Sequence, residues 1–134
     1  VIDTIETAIV NRLKAQVTDL PTYAFPDKPE DFKKLPFSNG LILVSYSGSS
    51  FSEPTNLDAL IQERMLEFTL TLQIKDLRSH EGAYTYLEQI RAALSGYSPQ
   101  NDRRVMYLTD EGFIDMVQNV WFWGQTWRLT ARQA

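Results

Sequence analysis

The chain has 134 residues, with 13 Lys plus Arg against 17 Asp plus Glu, one His and no Cys. This length suits one hydrophobic core, so one domain over residues 1–134 is expected. The lack of cysteine excludes disulfide frameworks, thiolate metal sites and cysteine nucleophiles, and the formal charge of −4 argues against sequence-independent binding to nucleic acid.

No apolar run approaches the roughly 18 residues of a spanning helix, and the N-terminus lacks the basic-then-apolar layout of a signal peptide. A cytosolic protein with no membrane partner is therefore expected. Ile2, Ile5, Ile9, Leu13 and Val17 recur at spacings of three and four, which predicts an amphipathic helix over about residues 2–17. From Asp19 to Asn39 the pattern breaks at Pro21, Pro26, Pro29 and Pro36. Each removes a backbone donor and turns the preceding residue away from helix, so a long connection with little regular structure is expected there.

Asn39-Gly40 signals a turn into the short apolar run Leu41–Tyr46, a buried strand. Ser47–Asn56 is rich in Ser and Gly but carries Phe51 and Pro54; it reads as an exposed loop with a hydrophobic tip. Phe51 either folds back onto the core or waits for a partner. In Met65–Lys75 the residues Leu66, Phe68, Leu70, Leu72 and Ile74 alternate with polar ones, as in a strand with one buried face. That pattern favours an antiparallel sheet with helices on one side.

Ser79 can cap a second helix through Ala83, Leu87, Ile90 and Leu94, ended by Gly96 and Pro99. Arg104–Thr109 then reads as a strand, Asp110-Glu111-Gly112 as a tight turn and Phe113–Val117 as the returning strand. The last strand, about 120–132, places Trp121, Trp123, Gln125, Trp127 and Leu129 on one face and Phe122, Gly124 and Arg128 on the other. The expected fold is α+β, with an antiparallel or mixed sheet of four to five strands flanked by two main helices.

Residues that carry chemistry are few. His80 is the only imidazole and has no second His at metal-ligand spacing, and Ser45, Ser47, Ser49 and Ser50 lie in no G-x-S-x-G elbow. No P-loop or G-x-G-x-x-G is present. No catalytic residue, metal or cofactor is expected. Asp110, Glu111 and Asp115 could serve a small carboxylate enzyme or ligand-binding domain, though turns favour Asp and Gly for backbone reasons alone. The tryptophans of the last strand can build the core, face a neighbouring subunit, or stack on single-stranded nucleic acid beside Arg103, Arg104 and Arg128. Residue chemistry makes Phe51, Pro54, Phe122, Arg128, Arg103 and Arg104 the candidate subunit contacts.

The strand MLEFTLTLQIKD (Met65 to Asp76), the helix HEGAYTYLEQIRAAL (His80 to Leu94) and the closing strand VWFWGQTWRLTAR (Val120 to Arg132), together with the N-terminal helix, resemble the Gp37 family of Mu-like contractile phages. The resemblance implies a tail terminator: a six-membered ring on the last tube ring that stops polymerisation and offers a surface for head docking. Its implied partners are copies of itself, the tail tube and the head connector, with the sheath protein a further candidate; DNA only passes through the channel. Its implied location is the virion tail, assembled in the host cytoplasm. Another head–tail connector or a component of a phage-like injection system is the alternative on the same fold.

Overall fold

A computed structural model describes residues 2–25, 40–55, 61–75 and 81–131. Helix α1 (Ile2–Gln16) buries Ile5, Ile9, Val10 and Leu13 along one stripe, as its spacing predicts. Helix α2 (Glu81–Leu94) buries Ala83, Leu87, Ile90 and Leu94. It stops where Gly96 takes a φ of 76°, a left-handed conformation that costs glycine little. Ser79 and His80 lie outside the described residues. Arg12 ties the helices together: its Nε donates to the carbonyl of Ala93 at 3.0 Å, and its guanidinium carbon stands 5.0 Å from the Tyr97 ring centre.

Five strands, β1 (Thr22–Ala24), β2 (Gly40–Phe51), β3 (Arg64–Lys75), β4 (Tyr107–Val117) and β5 (Val120–Thr130), form one sheet in the order β1-β2-β3-β5-β4. Only β1 and β2 are parallel; the other neighbours are antiparallel. The main core joins α1 and α2 to Ile42, Val44, the even-numbered apolar residues of β3, Trp127 and Leu129. Both helices therefore cover the same face. Leu41 and Leu43 are buried on the opposite face beside Gln73, so β2 is enclosed on both sides at its start, as its unbroken apolar run suggests.

Three sequence expectations change. Within the expected irregular connection, Thr22–Ala24 adds a strand: Ile42 N–H donates to Pro21 O at 2.9 Å and Phe25 N–H to Val44 O at 2.9 Å. Pro21 needs no donor at the start of an edge strand, so proline does not prevent this pairing.

The expected Ser/Gly loop is also strand as far as Phe51. After an irregularity between Tyr46 and Gly48, Ser49 pairs with Leu66 and Phe51 with Arg64. One extra residue at Ser47 keeps both strands paired while shifting register. Pairing with β3 thus overrides the low strand propensity of Ser and Gly.

The expected turn at Asp110-Glu111-Gly112 is the middle of β4. The hairpin instead turns at Gln118-Asn119, with φ of 51° and 67° between the paired Val117 and Val120; positive φ at both positions defines a type I′ connection. Residues 104–106 are not part of β4. Met106 donates to Tyr97 O at 2.9 Å and accepts from Gly96 N–H at 3.0 Å, so the end of α2 holds it.

Candidate functional site

The outer half of the β4–β5 hairpin carries an apolar surface on an edge strand. Phe113 is 50% exposed, Ile114 57%, Met116 47% and Val117 50%. On the helix side, Phe113 packs against Trp121 and Trp123 with ring centres 5.8 and 5.5 Å apart, and Tyr84 of α2 meets Trp123 edge-on at 5.6 Å. Such tilted contacts suit the ring quadrupoles. A register shift between Phe113 and Asp115 leaves Ile114 over the opposite face, its Cδ1 3.1 Å from where a Cβ on Gly124 would sit. Gly124 therefore makes room for Ile114.

The rest of this hairpin is anchored. Gln125 is buried and fully engaged: its Nε2 donates to Leu87 O at 3.2 Å and to Glu111 Oε1 at 2.8 Å, and its Oε1 accepts from Trp127 Nε1 at 3.0 Å. Trp127 is completely buried and belongs to the core. Trp121 and Trp123 are only partly buried, and the indole N–H of Trp123 is shielded without an acceptor among the described residues.

The opposite end of the sheet carries a second surface. Phe51, 59% exposed, lies under Arg64, whose guanidinium carbon is 5.4 Å from the ring centre. Arg64 Nε donates to Ser49 Oγ at 3.0 Å and Nη2 to the Tyr46 hydroxyl at 3.4 Å. The hydrogen bond with Ser49, then that with Arg64 and its positive charge, lower the Tyr46 phenol below its ordinary pKa of 10.0. Pro54 follows, partly buried, where Ser52 N–H donates to Glu63 O at 2.9 Å.

Among the other candidate contacts, Arg104 is ion-paired to Asp102 at 3.0 Å within its own turn, whereas Arg103 is exposed. Gln100 Nε2 donates to Thr130 O at 3.1 Å, which brings this turn to the same end of the sheet as Phe51. Arg128 meets Glu67 at 3.5 Å on the face away from the helices. Phe122, partly buried on that face, pairs between Gln73 and Asp115.

Asp110, Glu111 and Asp115 are exposed on β4. Glu111 faces the helix side with Gln125, while Asp110 and Asp115 oppose Thr126 and Phe122. They do not converge on one point. Among the described residues no group of three or more His or carboxylate side chains could hold a metal, and no helix is long and apolar enough to cross a membrane.

Sequence reasoning did not single out Phe113, Ile114, Met116, Val117 or Arg64 as surface residues. The signal available for the first four was the run Phe-Ile-Asp-Met-Val, whose apolar residues fall on both faces of any strand.

The fold defines an α+β protein with two helices on one face of a five-stranded mixed sheet. In sequence the chain matches the Gp37 protein family over residues 9–131; it belongs to that family. Among curated proteins none matches it. Among solved structures, it is similar to a chain in the virion of a native gene transfer agent particle, with a TM-score of 0.60, 14% identity, and coverage of 93% of this chain and 92% of that one. At that identity the likeness is one of fold.

Proposed function

We propose that this chain is a structural protein of a phage-like particle, one domain that caps the tail tube as a ring, ends tube growth and presents the surface on which the head docks. The observation that carries this reading is the apolar hairpin on the edge of the sheet, in a Gp37-family chain whose fold recurs in a gene transfer agent virion. Phe113, Ile114, Met116 and Val117 are each about half exposed. Covering the remainder would contribute on the order of 4 kcal/mol per hairpin, at roughly 1.5–3 kcal/mol for fully burying each such side chain. One such contact is modest. Repeated around a ring on a tube of matching symmetry, it gains by multivalency.

Exposed carboxylates divided between two faces of β4 favour assembly over acid–base catalysis, which needs both groups within reach of one substrate. Electron microscopy of tails assembled with and without the chain tests the reading. Overlong or headless tails in its absence, corrected by adding it back, are expected. Tails of normal length that fail only in head attachment would make it a connector, and normal particles lacking it would overturn the structural role.

A further inference from the structure

We propose that copies of this chain bind head to tail, the β4–β5 hairpin of one subunit seating on the Phe51/Arg64 end of the next. The inference rests on the reading of the chain as a self-assembling structural protein and names its contact. Between residues 107 and 123 the chain has three carboxylates and no Lys or Arg. The hairpin is therefore an aromatic and aliphatic surface with an acidic rim. Its complement must be apolar at the centre and must offer cations.

The far end of the sheet has both features. Phe51 is an exposed ring, and the guanidinium above it is held by two hydroxyl groups, with no carboxylate partner among the described residues. Arg103 is exposed on the neighbouring turn. A guanidinium already resting on an aromatic face presents its remaining N–H groups to an incoming carboxylate.

Two observations disfavour pairing of one hairpin with another. An isologous contact would bring Asp110, Glu111 and Asp115 against their own copies, and like charges facing one another are unfavourable. In addition, β4 shifts register between Leu108 and Asp110 and again between Phe113 and Asp115, which bends the edge and interrupts the backbone row that strand addition needs. Contact through side chains at opposite ends of the sheet leaves each subunit with one donor and one acceptor surface. This is the heterologous geometry that closes into rings or grows into filaments.

Because the chain has no cysteine, disulfide trapping tests the contact on the intact protein, free at high concentration and on assembled tails. The stretch of β5 from Trp123 to Thr130, at roughly 3.4 Å per residue, keeps Phe113 and Phe51 on the order of 25 Å apart within one subunit. A disulfide needs Cα atoms within about 7 Å, so any bond between these positions joins two chains. The double variant Phe51→Cys/Phe113→Cys is expected to give a reducible ladder of dimers, trimers and larger species. Mixing the two single variants should give dimers alone.

Dimers from Phe113→Cys by itself, as abundant as those from the mixture, would overturn the head-to-tail arrangement. Sedimentation of the cysteine-independent variant Arg64→Glu provides a second reading. At least tenfold weaker association is expected, partly restored by Asp115→Lys. Multimers that show neither cross-link nor charge effect would overturn this interface and leave the tail-capping role standing; a monomer at every concentration and on tails would overturn both.

Discussion

Replacing Gln125 by leucine removes the acceptor that the buried Trp127 indole has among the described residues, at nearly constant volume. An orphaned buried N–H costs about 1–3 kcal/mol, and the lost bond to the exposed Glu111 adds little because solvent screens it. A cost of about 2 kcal/mol is expected for Gln125→Leu. Trp127→Phe orphans the other partner, Gln125 Oε1, and leaves space in the core, so about 3 kcal/mol is expected. In the double variant neither polar atom remains to be left unpaired, and its cost should fall below the sum of the two by about 1–2 kcal/mol. Urea unfolding followed by circular dichroism measures all four corners of the cycle; in a domain of this size each kcal/mol corresponds to about 4 °C in Tm. Additivity within about 0.5 kcal/mol would refute the Gln125–Trp127 pair as a coupled buried unit.

Gly40→Ala should destabilise by about 1–3 kcal/mol in the same assay, because a Cβ there would stand 2.3 Å from the Gln73 carbonyl oxygen. Gln118→Asn should stabilise by about 1 kcal/mol, since Gln118 holds a φ of 51° that asparagine adopts more readily. Unchanged Tm would count against the type I′ turn. Arg12→Met keeps the aliphatic stem but loses the bond to Ala93 O and the contact with Tyr97; a loss of about 1 kcal/mol is expected in thermal melts. Tyr46 is an acid whose folded pKa is lowered from 10.0, so its ionised form favours the folded state. The stability it contributes is present above pH 10 and is lost as pH falls through the lowered folded value. Ultraviolet titration should show phenolate beginning to form at lower pH than in Tyr46→Phe, and Arg64→Met should move that onset upward.

The α+β class, both helices, the long β3 and the burial of Trp127 and Leu129 follow from periodicity, because the spacing of apolar residues along one element reports which face meets the core. Leu66 through Ile74 in β3, and Ile5 through Val17 at the N-terminus, needed no other context. The sequence left Phe51 either folded onto the core or waiting for a partner; it is exposed, and it ends a strand instead of tipping a loop, because backbone pairing to Arg64 is a property of β3 and not of Ser and Gly.

Tertiary structure alone decided where β4 stands. Asp-Glu-Gly has turn composition, yet in this chain it lies extended on the outermost strand, where acidic side chains reach water on both faces and no strand among the described residues pairs the outer edge of the sheet. The same position exposes Phe113 through Val117. A sequence records that these residues are apolar, but only the strand order β1-β2-β3-β5-β4 determines that no further strand among the described residues covers them, since edge and centre are relations between distant segments.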